Sequence, residues 1–261
     1  MNSVHFPSDT GEHAIVLTRV AETHWHALED DRVVGRGETS RRSDGRIFLS
    51  IDSWHDAVFD RLAEAMLADL PRPLHTVVDE ADTDLRANWV RAGFTTRRRE
   101  WEYLVPTDPS VTGLGSAPLP SGVTIVPAGD AVLTELSTVD REIREEVGWA
   151  DLPAEVVLRP DGITAADLPK YVVAATPGGY AGFARVVRVT RLPRIGLVAV
   201  KAAQRRRGIA RALLAHALGS LHRSGIGTAA AEVHEANAAA TALFEGIGAR
   251  RASSNLELVI R

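Results

Sequence analysis

The sequence predicts an α/β (α+β) protein made of two similar modules of strands and amphipathic helices. Apolar β-branched runs alternate with segments whose apolar residues recur every three to four positions, as in Ile209–Leu221. A strand–helix unit in the first part of the chain also returns in the last part. With 261 residues, the chain is long enough for one or two cores.

The repeat is visible because the same number of residues separates several similar pairs. These pairs are Val78 and Val233, Asp82 and Asn237, Trp89 and Phe244, and Gly93 and Gly248. A constant offset without a gap indicates an internal duplication. Two unrelated strand–helix units of similar composition are the alternative interpretation.

The first module begins with a segment, Val16 to Val34, that shows no long helical period. The strand Ile47–Ile51 then runs almost directly into a helix, for which Ser53 is the predicted N-cap and Asp56 its acidic partner. Apolar residues follow at helical spacing: Val58, Leu62, Met66 and Leu70. Asp52 and Asp56 place negative charge at this helix start, where a bound anion would need positive charge.

Residues 106–122 are rich in Pro, Gly and Ser and have no apolar period, which is typical of a linker. Before them, Thr95 to Val105 is the predicted closing strand of the first module. Its charged residues, Arg97 to Glu102, indicate a solvated strand face. We therefore predict a module at 1–108, a linker at 109–121 and a module at 122–261.

For the second module, the sequence predicts strands and helices in the order β–α–loop–β–β–β–α–β–α–β. Residues 130–149 form a helix with one apolar face: Leu133, Leu136, Val139 and Ile143. Tyr171–Ala175 and Tyr180–Val189 form a hairpin around residues 176–179, and Ile195–Val200 is the next strand.

A basic turn follows Val200 and leads into a helix, and it is the main functional signal. Its residues are Arg205, Arg206, Arg207, Gly208, Ile209 and Ala210. The first N–H groups of a helix lack intrahelical partners and carry partial positive charge, so they suit a phosphate group. Gly208 has no Cβ and allows a close approach to the backbone. An ordinary solvated helix start is the alternative interpretation.

Arg205–Ala210 also fits the Arg/Gln-x-x-Gly-x-Gly/Ala pattern of the GNAT acyltransferases, the GCN5-related N-acetyltransferases. Val233–Asn237, followed by Ala240, Leu243, Phe244 and Gly248, resembles that family's next block. The resemblance covers Gly122 to Arg261. It implies two tandem GNAT-like modules, each a mixed, mostly antiparallel twisted sheet flanked by helices. The first, which lacks the basic turn, resembles a degenerate copy without a cofactor site.

The resemblance further implies acetyl-CoA as cosubstrate and a way to bind it. The backbone of Val198 and Val200 would bind the pantetheine arm, the turn amides would hold the pyrophosphate, and Asn237 would lie near the pantetheine. Phe244 stands where the family often has a Tyr that is proposed to protonate the leaving thiolate. Phe cannot do this, so another group, water or an unassisted thiolate must serve.

The amine acceptor must lose a proton before attack, which costs about 4–5 kcal/mol at pH 7. The strand Ile195–Val200 carries no acid, although the family often has a Glu there. Glu232 and His234 share one face of a strand and are the candidate bases, with packed or surface residues as the alternative. Three further acids on the helix at 130–149 are expected to be solvated or to recognise a cationic acceptor: Glu142, Glu145 and Glu146.

Composition excludes several classes of protein. The chain has no Cys, which excludes disulfides and thiolate chemistry, and a net charge of −4 disfavours nucleic-acid binding. Its His residues lack ligand spacing except for His24 and His26, so we predict no metal. With neither a signal peptide nor an apolar run of about 20 residues, we expect a cytoplasmic protein without a membrane partner.

The sequence therefore predicts an N-acetyltransferase that acetylates the primary amine of a small molecule by direct attack in a ternary complex. We expect a monomer or a homodimer. One alternative is a protein lysine or N-terminal acetyltransferase. Another, of a different class, is a non-catalytic acyl-CoA-binding sensor.

Overall fold

The computed structural model describes residues 15–42, 44–115, 118–147, 162–187 and 192–261. Short 3₁₀ turns lie at Ala165–Lys170 and Ala202–Gln204. The other elements, in chain order, are β1 (Val16–Ala21), β2 (His24–Glu29), β3 (Arg32–Arg41), β4 (Ile47–Ser53), α1 (Asp56–Asp69), β5 (Leu74–Asp79), α2 (Thr83–Arg91), β6 (Thr95–Pro106), α3 (Pro109–Thr112), β7 (Thr124–Val126), α4 (Leu133–Val147), β8 (Tyr171–Thr176), β9 (Gly179–Val187), β10 (Arg194–Val200), α5 (Ile209–Arg223), β11 (Thr228–His234), α6 (Ala238–Glu245) and β12 (Arg250–Ile260).

The strands form one sheet of 12 strands in the order β1-β2-β3-β4-β5-β12-β6-β11-β10-β9-β8-β7. Only β4–β5 and β10–β11 are parallel among these described pairs. The predicted fold class is therefore confirmed as a mixed, mostly antiparallel sheet flanked by helices. We refer to residues 1–108 as the first half and to residues 122–261 as the second half.

The two halves exchange their last strands at the centre of the sheet. β6 exists where the sequence predicts it, but it lies beside β11, with Pro106 opposite Thr228 and Glu100 opposite His234. β12 in turn pairs with β5, from Asn255 opposite Asp79 onward. The closing strand of each half therefore completes the other half.

The predicted repeat is present in the structure, because β4-α1-β5-α2-β6 and β10-α5-β11-α6-β12 have the same element order. Asp82 and Asn237 are the N-caps of α2 and α6 and accept backbone N–H groups with their side chains. Gly93 and Gly248 both have positive φ. Between β1 and β2 the described residues form a turn, so the predicted lack of a helix there is confirmed.

Helices cover both faces of the second half. Ile209 and Leu213 of α5 pack with Val172, while Leu136 of α4 packs with Val173. Since neighbouring strand residues point to opposite faces, α4 and α5 lie on opposite sides of the sheet. We call the side that α4 covers the α4 face.

The start of α1 differs from the prediction. Ser53 is not the N-cap, because β4 continues through Ser53, which pairs with Gly35 of β3. The helix begins at Asp56 after His55, which makes no side-chain cap. The Asp56 carboxylate instead accepts a hydrogen bond from Asn88 Nδ2 at 3.1 Å.

Part of the predicted linker is ordered, since it contains α3, and the Leu114 side chain is buried in the core beneath α5. The predicted continuation of α4 to Trp149 and of β9 to Val189 lies outside the described residues, as do residues 1–14.

Candidate functional site

A cleft opens in the sheet between β10 and β11. The two strands pair only where Arg194 faces Ala230 and Ile195 faces Ala231. Beyond Ile195, β10 stays with β9 as far as Val200 opposite Gly182, while β11 stays with β6. The edge of β10 that carries Val198 and Val200 is therefore left without a strand partner on the β11 side.

The basic turn lies at the end of β10 and starts α5. Arg206 and Gly208 have φ values of 64° and 83°, so the backbone is left-handed at both. Gly208 is the N-cap and offers no side chain, and the first bond of the helix joins Ala212 N–H to Gly208 C=O. The N–H groups of Ile209 and Ala210 therefore point out of the helix start, which is the geometry of an anion site.

The guanidinium groups of the turn hold its conformation. Arg205 Nε donates to Val200 C=O at 3.1 Å, and Arg205 Nη2 donates to Glu146 Oε2 at 3.3 Å. Arg207 Nη2 donates to Ser121 C=O at 3.2 Å, and its Nη1 bonds Gln204. Arg205 and Arg207 therefore fix the conformation of the turn.

Helix α4 is tied to the same turn by carboxylates. Glu146 Oε2 accepts the N–H of Ala202 at 2.8 Å, and Glu142 Oε2 lies 2.6 Å from Lys201 Nζ. The sequence predicted solvated charges or acceptor recognition for these acids. Glu142 and Glu146 are partly solvated and also form ion pairs, with Lys201 and Arg205, and Glu145 is exposed.

Asn237 and Phe244 have structural partners of their own. Asn237 Oδ1 accepts the N–H of Ala240 at 3.0 Å and caps α6. Phe244 is only 5% exposed and stacks on Tyr103, with 6.1 Å between ring centroids. The Tyr103 hydroxyl donates a hydrogen bond to Glu245 and accepts one from Arg251, so both of its hydrogen-bond partners are charged side chains.

Glu232 and His234 lie on β11 beside the cleft. Because Val233 packs into the core beneath α5, its two neighbours point to the α4 face. Glu232 Oε1 is 3.1 Å from Arg194 Nη2 and accepts from Asn255 Nδ2 at 3.4 Å. Burial raises the pKa of Glu232, the charge of Arg194 opposes the increase, and Glu100 adds to it.

Strand exchange adds residues that the sequence analysis did not assign to this site. Glu102 of β6 faces Glu232, and Glu100 of β6 faces His234. The prediction that this strand face is solvated is wrong for Arg98 and Glu100. Their side chains are only 6% and 14% exposed, and they form an ion pair with each other. Alternation along β6 is a sequence signal for the shared face, but it does not identify the neighbouring strand.

The first half has a similar cleft with a different helix start. β4 and β5 pair only where Ile47 faces Leu74 and Phe48 faces His75. The helix that follows begins with Asp56 after His55, and residues 52–56 include no glycine. The anion geometry of the second half is therefore not repeated at this position.

The described residues contain no group of three or more His, Cys, Asp or Glu arranged to hold a metal ion. They also contain no helix that is long and apolar enough to span a membrane.

Comparison with known proteins relates this geometry to one family. Residues 135–249 match the model of the Acetyltransferase (GNAT) family. A search of curated proteins finds no match for the chain.

Solved structures resemble nearly the whole chain. A GCN5-related N-acetyltransferase from Sphaerobacter thermophilus has a TM-score of 0.66 at 16% identity, covering 93% of this chain and 82% of that one. A tandem GNAT protein from the clavulanic acid biosynthesis pathway has a TM-score of 0.65 at 14% identity, with coverage of 91% and 82%. A GCN5-related N-acetyltransferase from Kribbella flavida has a TM-score of 0.56 at 18% identity, with coverage of 95% and 89%. At these identities the similarity concerns the fold.

Proposed function

We propose that this chain, which belongs to the GNAT acetyltransferase family, transfers the acetyl group of acetyl-CoA to the primary amine of a small molecule by direct attack in a ternary complex. The observation that carries the proposal is the basic turn Arg205–Ala210 at the mouth of the cleft between β10 and β11. An anion site next to an open strand edge suits a ligand with a pyrophosphate and an amide-containing arm.

Acetyl-CoA would bind with its pyrophosphate on the turn amides and its pantetheine along Val198 and Val200. Asn237 and Phe244 follow β11, on the other side of the cleft. The first half would be a degenerate module, because Asp52 at the end of β4 and Asp56 at the start of α1 stand where the second half carries arginines. The proposed boundaries remain 1–108, 109–121 and 122–261.

Glu232 is the preferred base, and His234 is the second candidate. A carboxylate with a raised pKa is a better acceptor for an ammonium proton than an ordinary one. The ammonium gives one proton to the base, the N–C bond forms and the C–S bond breaks. The nitrogen of the new amide then loses its second proton to water, and the thiolate takes a proton from water. Expelling a thiolate whose thiol has a pKa of about 8.5 costs only about 2 kcal/mol at pH 7 relative to the neutral thiol, so Phe244 in place of Tyr is tolerable.

The chemistry of the α4 face supports a small cationic acceptor. Glu232, Glu102 and Glu100 place carboxyl groups on this face beside the cleft, where they attract a cation although Arg194 and Arg98 neutralise part of their charge. Helix α4 is held to the basic turn by Glu146. The proposal includes a cytoplasmic monomer or homodimer that uses no metal, nucleic acid or membrane partner.

Release of CoA thiol from acetyl-CoA tests the proposal directly. The purified chain is assayed with a panel of small primary amines and with lysine-containing and free N-terminal peptides, and Gly208→Asp serves as the inactive control. Turnover of small amines that Gly208→Asp abolishes supports the proposal. Turnover of peptides alone would replace it with a protein acetyltransferase, and acetyl-CoA binding without any turnover would replace it with a sensor.

A further inference from the structure

We propose that Glu100, which the first half contributes on β6, is a positioning residue that forms a hydrogen-bonded carboxyl pair with Glu232. The inference rests on the proposed function, in which Glu232 is the base. It assigns a role in the reaction to a residue that lies outside the second half altogether.

The strand register makes Glu100 and Glu232 diagonal neighbours on one face of β6 and β11. β6 lies between β11 and β12, so Glu100 has His234 on one side and Asn255 on the other. Asn255 Nδ2 reaches Glu232 Oε1 at 3.4 Å, across the strand that carries Glu100. The carboxyl group of Glu100 is therefore enclosed by the residues that surround Glu232.

The carboxyl groups of Glu100, Glu102 and Glu232 have partners on three neighbouring strands. On β6, Arg98 pairs with Glu100, while Glu102 accepts a hydrogen bond from Ser253 of β12. On β10, Arg194 Nη2 lies 3.1 Å from Glu232 Oε1 and 3.8 Å from Glu102 Oε1. His234 is the further titratable group on β11 itself.

Within the part of the chain that the structure describes, three carboxyl groups thus meet the guanidinium groups of Arg98 and Arg194, and the charge of Arg42 also acts on Glu100. Carboxylates in contact resist simultaneous ionisation, so a pair of them retains a proton to higher pH than an isolated one. The hydrogen bond from Glu100 and its charge both raise the pKa of Glu232, in addition to the effect of burial. Geometry and electrostatics therefore agree on the pair.

The pair controls when the base is available. While it holds the shared proton, Glu232 cannot accept another from the substrate ammonium. Once that proton is released to water, Glu232 takes the ammonium proton, the amine nitrogen bonds to the thioester carbon, and the C–S bond breaks. The nitrogen of the new amide loses its second proton to water, the thiolate takes a proton from water, and Glu232 returns its proton to water after product release.

The pH dependence of kcat/KM in Glu100→Gln tests this role. Removing the partner charge should move the acid limb to lower pH by about one unit, because a neighbouring carboxylate raises a pKa by that order. Glu64→Gln is the matched control, since Glu64 is exposed on α1 and away from the site. An acid limb that Glu100→Gln leaves in place overturns the inference.

Two further measurements keep the outcome clear. If Glu100→Gln does not fold, Glu100→Asp is the substitute, because it keeps the carboxylate on a shorter side chain. It should move the acid limb of the kcat/KM profile part of the way to lower pH. An acid limb that stays in place in Glu100→Asp overturns the pair. Glu232→Gln separates the two proposals: a parent without turnover refutes the proposed function, and a fully active Glu232→Gln refutes Glu232 as base. Loss of activity in Glu232→Gln with no limb shift in Glu100→Gln refutes the pair alone.

Discussion

The carboxylate of Glu146 accepts a hydrogen bond from the backbone N–H of Ala202 at 2.8 Å. It thereby joins the end of α4 to the segment that follows β10. The same oxygen accepts a hydrogen bond from Arg205 Nη2 at 3.3 Å. Glu146 therefore connects a helix that packs on one face of the sheet to the proposed pyrophosphate turn, next to the ion pair between Glu142 and Lys201. We expect changes at Glu146 to act on the cofactor rather than on the amine.

Glu146→Ala should raise the Kd and KM of acetyl-CoA by about tenfold or more, because a hydrogen bond to a charged group contributes about 1.5–3 kcal/mol. Glu146→Gln keeps an oxygen for Ala202 N–H and should have a smaller effect. Calorimetry and steady-state kinetics measure both values. Glu145→Ala, an exposed neighbour on the same helix, is the control, and an unchanged Kd in Glu146→Ala would contradict this role.

Asp167 gives a prediction about stability and pH. Hydrogen bonds from Lys170 and Thr164 lower the pKa of Asp167 from 3.8 to about 2. Because the folded pKa is lowered, the stabilisation is fully present above the unfolded pKa and is lost as the pH falls toward 2. Asp167→Asn should therefore lower the free energy of unfolding by about 1 kcal/mol at pH 7, after allowance for its 25% exposure.

Urea unfolding of parent and Asp167→Asn, at about pH 6 and about pH 3, measures this dependence. The difference between the two proteins should shrink at the lower pH. Asp130→Asn, at an exposed position, should show no such change. A difference that stays constant or grows on acidification would rule out the ion pair as its source.

The strand exchange predicts how the halves behave when they are separated. Residues 121–261 lack β6, so β11 and β12 would each lose a strand partner. We expect this fragment to be insoluble or inactive, since exposed strand edges associate. Coexpressed with a tagged fragment 1–120, it should form a 1:1 complex that copurifies. A soluble, monomeric fragment 121–261 with full activity would refute the structural role of the first half.

Local patterns in the sequence predict much of this fold. The offset that relates Asp82 to Asn237 returns as two equivalent N-caps, and the basic turn returns as a left-handed backbone at Gly208 followed by α5. Such features depend on neighbouring residues, because capping and helical spacing act within a few positions.

Strand pairing between distant segments was not predictable in this way. Alternation along β6 shows that Glu100 and Glu102 share a face, but periodicity does not say which strand lies beside them. The sequence therefore predicts Glu232 and His234 as candidate bases, and it misses the carboxylates that β6 brings next to them. Likewise, Ser53 resembles an N-cap, but its pairing with Gly35 keeps it in β4.

The central claim is that one acetyl-CoA binds per chain, at the turn that begins α5, and calorimetric titration of the intact protein tests it most directly. Gly208→Asn and Gly208→Asp form the matched pair. Both side chains tolerate the left-handed backbone better than most, and only Asp adds a negative charge where the pyrophosphate binds. We predict one site in the parent, weakened binding in Gly208→Asn, and no measurable binding in a folded Gly208→Asp. Two equivalent sites per chain, or binding to Gly208→Asp as tight as to the parent, would contradict the claim.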